Sequence, residues 1–326
     1  MSILVTGAAG FIGFHVAQAL LARGEEVIGI DDLNAYYDAN LKHARLENLR
    51  KEKRFVFHLL DVADRDAILN LAAANPAIDR AVHLAAQAGV RYSLTHPHAY
   101  TRSNVEGQLV MLEAARALKG LRHFVYASSS SVYGGNTKLP FSVEDRVDNP
   151  VSLYAATKKA GELMAHCYSH LYRVPATGLR FFTVYGPWGR PDMSAYIFTR
   201  KILAGEPIPV FNRGDMKRDF TYIDDIVAGV VACLDKPPAD APGTPPHRLY
   251  NLGNHRPEPL LRFIEVLEQA IGVKAQLAME PMQAGDVKET YADIDASRRD
   301  FGFSPKTTIA EGIPRFVAWY RGYHKV

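Results

Sequence analysis

Short apolar runs recur along the first half of the chain, separated by longer segments of mixed polarity. Residues 3–5 are wholly apolar and residues 27–30 contain only one glycine besides apolar side chains, which is typical of strands buried on both faces of a parallel sheet. Comparable runs predict further strands at residues 54–61, 81–84, 123–127 and 176–182.

Helices are predicted between these strands, where apolar residues recur at helical spacing. They cover the residues between Phe14 and Gly24, about 64–74, about 98–118, and a segment that starts near Tyr154. Residues 33–53 are polar and look like an excursion over the edge of a binding site. The alternation of strands and helices predicts an α/β fold, a Rossmann-type doubly wound parallel sheet with helices on both faces.

The texture of the chain changes after Thr183, where prolines and clusters of Gly, Arg and Asp interrupt the alternation. We therefore expect residues 1–182 to form the sheet domain. Residues 183–326 are expected to form mainly a smaller C-terminal α/β lobe that binds substrate, with some segments returning to the first domain.

Composition narrows the class of partner. The 326 residues are 48% hydrophobic and 22% charged, with a formal net charge of +3 and dispersed basic residues, so neither nucleic acid nor a membrane surface is expected as a partner.

The location is suggested by the cysteines and by the apolar segments. Two isolated cysteines, Cys167 and Cys233, are typical of reduced core residues. The chain begins directly with a strand-like run, and no stretch approaches the roughly 18–20 apolar residues of a membrane span. A cytoplasmic location is the expectation.

A glycine-rich turn, Gly7-x-x-Gly10-x-x-Gly13, joins the first strand to the first helix. In that context glycines permit close backbone approach, and the helix N-terminus offers N–H groups to a pyrophosphate. The second strand ends in Asp31 and Asp32, where a carboxylate can accept hydrogen bonds from ribose hydroxyls and repel a 2′-phosphate. The arrangement predicts a bound dinucleotide, NAD rather than NADP.

Tyr154 and Lys158 lie four residues apart and therefore on one face of the predicted helix. Alone, such a pair is usually an exposed helix pair. Beside an NAD site it favours a catalytic base, because a cation one turn away stabilises the phenolate. Residues 128–131 are four serines at the end of the fifth strand, where hydroxyls of a doubly wound sheet face the ligand crevice.

These motifs together resemble the extended short-chain dehydrogenase/reductase family over nearly the whole chain. The resemblance rests on the glycine turn, Asp31, Asp61-Val62, Asn104, the serines before Val132-Tyr133-Gly134, and Tyr154 with Lys158. Within the family, segments 84–93, 180–193 and 217–226 resemble nucleotide-sugar 4-epimerases, and most closely those that act on UDP-glucuronate. No histidine or cysteine spacing indicates a metal site.

The resemblance implies a mechanism and its residues. Tyr154 would take the proton of the sugar 4-hydroxyl while NAD accepts the C4 hydride, Lys158 would hold the nicotinamide ribose, and Ser129 would bridge substrate O4 and Tyr154. Besides Tyr154 and Lys158, the implied NAD contacts are Gly7, Gly10, Phe11, Ile12, Gly13, Asp31, Asp32, Asn34, Asp61, Val62, Leu84, Ala85, Ala86, Gln87, Asn104, Phe181 and Tyr185.

A uronate substrate passes through a 4-keto β-keto acid, which loses CO₂ readily. We expect Ser129, Ser130 and Thr183 to hold its carboxylate by neutral hydrogen bonds and so restrain that loss. The resemblance places a carboxylate beside Val132 in dehydratases and decarboxylases, where this chain has Ser130 and Ser131. A UDP-glucose 4-epimerase, a UDP-glucuronate decarboxylase and a catalytically silent NAD-binding regulator remain alternatives.

The UDP part of the substrate requires cations and a slot. Arg190 and Arg218 are the expected diphosphate ligands, since guanidinium groups bind phosphate oxygens in a fork. By resemblance, Asp286 would meet the uridine ribose, and Phe211 is a candidate neighbour of the uracil. Gln283 stands where related epimerases often carry an Arg, which leaves Lys288 as a substitute cation. The resemblance also implies a homodimer that pairs through helices 98–118 and 154–171.

Overall fold

The structure, a computed structural model, describes residues 1–282 and 287–326. Within them, seven strands form one sheet. They are β1 (Ser2–Thr6), β2 (Glu26–Asp31), β3 (Phe55–Leu59), β4 (Ile78–His83), β5 (His123–Ser129), β6 (Ala176–Phe181) and, from the C-terminal half, β10 (His247–Leu252). Their order is β10-β6-β5-β4-β1-β2-β3, and every neighbouring pair is parallel. The predicted α/β class and parallel sheet are confirmed.

Helices flank this sheet and cover the smaller lobe. Their bounds are α1 (Phe11–Ala22), α2 (Ala39–Leu49), α3 (Arg65–Ala74), α4 (Tyr92–Thr95), α5 (Pro97–Tyr100), α6 (Gly107–Ala117), α7 (Leu153–Tyr172), α8 (Ser194–Leu203), α9 (Ile223–Leu234), α10 (Leu260–Ile271), α11 (Asp295–Phe301) and α12 (Ile309–His324). The polar excursion at 33–53 contains α2, which its sequence did not predict. The helix expected at about 98–118 is divided by a π-helical turn, Thr101–Glu106.

Successive residues of β1 pack on opposite faces of the sheet, as the pleat requires. Ile3 and Val5 belong to a core cluster that also holds Phe14 from α1 and Val230 from α9. Leu4 points to the other face, into a second cluster built on α3, α6 and α7. Burial on both faces explains why the strand runs are apolar without alternation.

The order of the strands reverses between β1 and β4, because β2 and β3 extend to one side and β5 and β6 to the other. Doubly wound sheets bind ligands at the carboxyl ends of the strands beside such a reversal. β10 pairs with β6 at the far edge, with Leu252 opposite Phe181. A strand from the C-terminal half therefore completes the main sheet.

A second, smaller set of strands lies in the C-terminal half. β9 (Lys217–Tyr222) pairs with β7 (Thr183–Tyr185), β11 (Pro257–Pro259) and β13 (Glu289–Thr290), and β8 (Ile208–Val210) pairs with β12 (Leu277–Met279). Asp219 of β9 is fully buried and accepts backbone N–H groups from Asn254, His255 and Ala292. This carboxylate fixes the small sheet to the chain that leaves β10.

The cysteines differ from the expectation of two core residues. Cys233 is buried in α9, but Cys167 is exposed on the outer face of α7. Leu163 and Leu171, two apolar residues near Cys167 in the sequence, are exposed as well. No helix in the described residues is long and apolar enough to cross a membrane.

Candidate active site

A cavity of about 950 Å³ runs along the carboxyl ends of the strands, from the glycine turn to the small lobe. Its walls include almost all of the residues proposed for the site, from Gly7 and Asp31 through Tyr154 and Lys158 to Phe211 and Arg218. Volumes of about 300–1,000 Å³ are typical of ligand sites in proteins, and this cavity lies at the upper end. It is extended enough for two ligands that meet end to end.

The glycine turn is closely packed. Gly7 has φ +70°, a left-handed conformation that favours glycine. A Cβ added to Gly13 would lie only 2.0 Å from the Gly7 carbonyl oxygen, so helix α1 can start against the turn only with glycine there. Gly10 is the N-cap of α1 and makes no side-chain cap, which leaves the N–H groups of the first turn to face the cavity.

Asp31 ends β2 and fastens the glycine turn to the next loop. Its Oδ2 accepts the N–H of Ala9 at 3.1 Å and its Oδ1 that of Leu33 at 2.9 Å. Burial raises the pKa of this carboxyl, and the Lys42 ammonium opposes that rise. Asp32 beside it accepts hydrogen bonds from Asn34. Both carboxylates line the cavity at the position where the sequence predicts ribose hydroxyls.

The predicted cofactor residues Gln87 and Asn104 do not occupy equivalent places. Gln87 lines the cavity, whereas Asn104 is buried behind it and exchanges hydrogen bonds with the backbone of Gln87 at 2.8 and 2.9 Å. Asn104 also donates to Thr157 Oγ1 on α7, at 3.1 Å. The π-helical turn thus aims Asn104 at the link between β4 and the Tyr154 helix.

Helix α7 starts one residue before Tyr154, capped by Ser152, whose Oγ accepts the N–H of Ala155 at 3.1 Å. Tyr154 and Lys158 therefore lie on consecutive turns and both line the cavity. Lys158 donates to the Ala127 carbonyl at 3.0 Å, and burial lowers the pKa of its ammonium to about 8. The expected effect of Lys158 on the phenol remains a prediction.

Four effects act on the pKa of the Tyr154 phenol. Burial raises the pKa of the phenol, a side-chain hydrogen bond with Ser129 and the guanidinium charge of Arg190 lower it, and Asp192 raises it further. The ring of Tyr100 on α5 meets the Tyr154 ring edge-on at 5.9 Å. The phenol is thus placed between the serine strand and a charged pair that sequence reasoning had not connected to it.

All four serines at the end of β5 line the cavity, and they differ in their hydrogen bonds. Ser129 Oγ accepts the Ser131 N–H at 3.1 Å. Ser128 donates backwards to Glu162 of α7 at 2.7 Å. Glu162 in turn receives two hydrogen bonds from Arg180 of β6, at 2.8 and 2.9 Å. A buried ion pair thereby fixes the serine strand against the helix that carries Tyr154.

Thr183, expected at the uronate carboxylate, and Phe211, expected at the uracil, line the cavity. So do Arg190 and Arg218, the expected diphosphate ligands. The Arg91 guanidinium lies 4.8 Å from the centre of the Phe211 ring. Lys288, the suggested substitute cation, is exposed and pairs with Asp215 at 2.7 Å. These roles in binding remain predictions.

Some predicted site residues lie elsewhere. Tyr185 is buried away from the large cavity and donates its hydroxyl to the Thr308 carbonyl at 3.2 Å. Asp61 lines the cavity, but one of its oxygens is engaged by Arg102 at 2.8 and 2.9 Å. Gln283 and Asp286 lie outside the described residues.

Comparison with known proteins is consistent with this geometry. Residues 3–253 match the model of the NAD dependent epimerase/dehydratase family. The chain belongs to this family. It is 47% identical to UDP-glucuronate 4-epimerase 2 of Arabidopsis thaliana, over 100% of this chain and 77% of that one. It is also 47% identical to a probable UDP-glucuronate 4-epimerase of Rhizobium meliloti, over 98% of this chain and 97% of the relative.

A solved member of the family has the same fold. The UDP-glucuronic acid 4-epimerase of Bacillus cereus, crystallised with UDP-glucuronic acid and NAD, superposes with a TM-score of 0.90 at 35% identity. The alignment covers 99% of this chain and 100% of that protein. The expected family membership and the expected fold are thereby both confirmed.

The residues present fit an NAD molecule. The glycine turn can pack as it does only with glycine at positions 7 and 13. The carboxylates of Asp31 and Asp32, at the end of β2, and the first-turn N–H groups of α1 face the same cavity. Within the described residues, the buried Nε2 of Gln87 has no hydrogen-bond partner although its side chain lines the cavity. A ligand with acceptor groups would satisfy it.

Proposed function

We propose that this protein is a UDP-glucuronate 4-epimerase, which interconverts UDP-glucuronate and UDP-galacturonate. The observation that carries the proposal is the end of β5, where Ser129 and Ser130 present hydroxyl groups, not carboxylates, to the cavity beside Tyr154. The end of β5 therefore offers neutral hydrogen-bonding groups beside Tyr154, the proposed proton carrier. The relatives and solved neighbours described above support the same activity.

Tyr154 is the group that moves the proton. As phenolate it accepts the proton of the sugar 4-hydroxyl when C4 is oxidised, and as phenol it returns the proton when the 4-keto group is reduced. Ser129, hydrogen-bonded to the phenol, orients the 4-hydroxyl toward it. The Arg190 charge and the Ser129 hydrogen bond both favour the phenolate, against the effect of burial on its pKa.

Bound NAD would supply the hydride acceptor and donor for C4, on one face of the ring and then on the other. The chain supplies the geometry for that exchange. Lys158 reaches from α7 toward the strand ends, and Asp31 fixes the glycine turn. The ring has to turn over between the two hydride transfers, so the sugar end of the cavity must accept two orientations.

The absence of a carboxylate next to Ser129 also explains why elimination is not expected. Loss of water or protonation of an enolate needs a proton carrier beside C5, and Ser130 and Ser131 have no suitable acidity near neutral pH. Thr183, across the cavity, offers a further hydroxyl to the uronate carboxylate. Neutral hydrogen bonds restrain the carboxylate without supplying a proton.

The direct test is to incubate the purified protein with UDP-glucuronate, and separately with UDP-glucose, without added NAD, and to follow the sugar signals by NMR. We expect UDP-galacturonate from the first incubation. Conversion of the neutral sugar alone would contradict the uronate assignment, and a 4-keto pentose or UDP-xylose as main product would indicate a decarboxylase. No turnover of either sugar would favour the silent regulator.

Two phenylalanine variants of α7 form a matched control. Tyr154→Phe removes the proton carrier and should lower turnover by at least about 10³-fold, within the range usual for general acid–base groups and orientation. Tyr172→Phe makes the same change at the exposed end of the helix, with 46% of that side chain accessible, and should leave turnover unchanged.

We further propose that the protein is cytoplasmic and forms a homodimer through α6 and α7. The outer faces of these helices expose large apolar side chains, which is unusual for a monomer surface. They are Leu109, Leu163, Leu171 and Tyr172, at 42%, 59%, 61% and 46% exposure. Light scattering after gel filtration should give twice the chain mass for the wild type, and Leu163→Asp should give a monomer. A monomeric wild type would contradict the proposal.

A further inference from the structure

Arg190 is already paired inside the cavity. Its Nε and Nη2 donate to the two carboxylate oxygens of Asp192, at 3.0 and 2.5 Å, in a bidentate fork. Tyr36 donates its hydroxyl to Asp192 Oδ2 at 3.0 Å. All three residues line the same cavity as Tyr154. Arg190, which the sequence predicts as a phosphate ligand, is therefore one half of a charge-neutral ion pair in this structure.

The pair lies beside the reacting end of the site. A Cβ added to Gly89 would lie 2.6 Å from the Tyr36 hydroxyl, 3.6 Å from Asp192 Oδ2 and 3.7 Å from the Tyr100 hydroxyl, so these groups converge there. The Tyr100 ring in turn contacts the Tyr154 ring. The Arg190–Asp192 pair is therefore close to Tyr154, where the proposed function places the sugar 4-hydroxyl.

Elements of the NAD-binding half hold the backbone that carries this pair. His15 of α1 is hydrogen-bonded to the Pro187 carbonyl at 2.9 Å. Arg45 of α2, fully buried, donates to the Trp188 carbonyl at 2.6 Å and to the Ala9 carbonyl of the glycine turn at 2.9 Å. These contacts hold the backbone just before Arg190, and the fork itself is held by its two hydrogen bonds and by Tyr36.

We propose that Asp192, held by Tyr36, is a positioning residue that occupies the fork of Arg190 and so keeps the guanidinium from clamping the substrate carboxylate. The inference rests on the proposed function, because only a uronate carries that carboxylate. It assigns to Asp192 the role of a specificity and turnover determinant. Its effect reaches the substrate through Arg190.

The physical reason is the ring rotation that epimerisation requires. A free guanidinium would bind the uronate carboxylate by two charge-assisted hydrogen bonds, which are about twice as strong as neutral ones. Such a clamp would stabilise one orientation of the ring and hinder the turn to the other face. With Nε and Nη2 engaged by Asp192, the carboxylate is left to the hydroxyls of Ser129, Ser130 and Thr183, which can be exchanged at low cost in either orientation.

Among the described residues, three tyrosines approach the pair. Tyr36 approaches from the loop after β2, Tyr100 from α5 and Tyr154 from α7. Asp192 and Tyr36 both act on the Arg190 guanidinium. Asp192 is the carboxylate within hydrogen-bonding distance of Arg190 in the described part of the chain, so its neutralisation leaves the guanidinium with an unbalanced charge.

Binding is measured first, in a Tyr154→Phe background that cannot turn over substrate. Adding Asp192→Asn should tighten UDP-glucuronate binding, measured by calorimetry, by about tenfold, because one strong charge-assisted pair replaces neutral contacts. UDP-glucose has no carboxylate, and its affinity should change by less than about twofold. Weaker or unchanged binding of UDP-glucuronate, or equal tightening for both sugars, would refute the proposal.

Turnover is then measured with Tyr154 intact. Asp192→Asn should lower both KM and kcat for UDP-glucuronate, by about tenfold each, as expected when the ground state is stabilised. A merely structural role would instead raise KM as kcat falls. Asp192→Glu retains the charge and should restore kcat in part. Tyr36→Phe keeps the fork and loses one hydrogen bond to Asp192, so its effect should have the same direction and be smaller.

The controls separate this inference from the function on which it rests. If the wild type fails to convert UDP-glucuronate, the proposed function is wrong, whatever the variants do. If the wild type converts it and Asp192→Asn raises KM or leaves both constants unchanged, the proposed function stands and the positioning role of Asp192 is wrong.

Discussion

The buried pair between Glu162 and Arg180 allows a quantitative prediction. Glu162 accepts one hydrogen bond from Ser128 and two from Arg180, and the two charged side chains are only 2% and 1% exposed. Burial pushes the pKa of Glu162 up, but the hydrogen bonds and charge of Arg180 outweigh it, and the net pKa lies below the ordinary value. The carboxylate is therefore ionised, and Arg180 depends on it.

Glu162→Gln removes the negative charge and leaves the buried Arg180 without a carboxylate partner. Breaking a buried pair from one side costs about 3–5 kcal/mol. Unfolding entropy is about 2.1 cal/mol/K per residue, or about 0.7 kcal/mol/K over 326 residues, so the melting temperature should fall by about 4–7 °C. Thermal unfolding followed by circular dichroism measures this shift directly.

The matched control is the same substitution in a surface pair. Glu265 pairs with Arg262 at 2.5 Å, but the side chains are 49% and 45% exposed. Exposed pairs contribute about 0.2–1 kcal/mol, so Glu265→Gln should lower the melting temperature by less than about 1.5 °C. Equal shifts for the two variants would refute the reasoning. Replacing Glu162 and Arg180 together by methionine should recover much of the loss, because no unpaired charge then remains.

Two further predictions concern the glycine turn and acid stability. Gly13→Ala forces a Cβ within 2.0 Å of the Gly7 carbonyl oxygen and should abolish NAD binding, measured by calorimetry. Gly120→Ala is the control, because a Cβ at that position meets no atom within 4 Å, and it should retain binding. Retained NAD binding in Gly13→Ala would contradict the geometry. Burial lowers the pKa of His83 to about 3 and that of His123 to about 4, whereas both should titrate near about 6.5 in the unfolded chain. Below about pH 6.5 the unfolded chain therefore binds more protons than the folded chain. The free energy of unfolding then decreases as the pH is lowered, by up to about 1.4 kcal/mol per pH unit for each histidine. Urea unfolding at pH 7.5 and 5.5 should show the loss, reduced in His123→Gln; equal stability at the two values would exclude it.

The strands and most helices of the main sheet could be predicted because the residues that they bury are apolar and recur at the spacing of a strand or a helix. Helix α2 is an exception. Two of the residues that it buries, Lys42 and Arg45, are charged, at 5% and 0% exposure, so an apolar pattern cannot reveal it. Lys42 donates to the carbonyl of Asn34, eight residues earlier, and Arg45 donates to the carbonyls of Ala9 and Trp188, which are remote along the chain. Only the tertiary structure brings those acceptors together.

The candidate site divides in the same way. Sequence motifs could assign the glycine turn, Asp31, Tyr154 and Lys158 to the site. Dinucleotide binding and proton transfer each need these residues at a fixed spacing within one or two neighbouring elements. Asp192 stood in a motif without a role, because its donor Tyr36 lies 156 residues earlier in the sequence. The exposure of Cys167 was missed for a related reason, since local apolar neighbours do not reveal whether another surface covers them.

The position of β10 at the edge of the main sheet has a consequence for how the protein is made. A ribosome that has synthesised residues 1–182 has delivered six strands, and β6 then presents an unpaired edge until β10 is complete at Leu252. Unpaired parallel edges invite association with other chains, so the nascent protein passes through a vulnerable interval. Because β10 belongs to the C-terminal half, the main sheet is complete only when both lobes come from the same chain. An exchange of lobes between family members, cut at residue 182, would separate β10 from its neighbour.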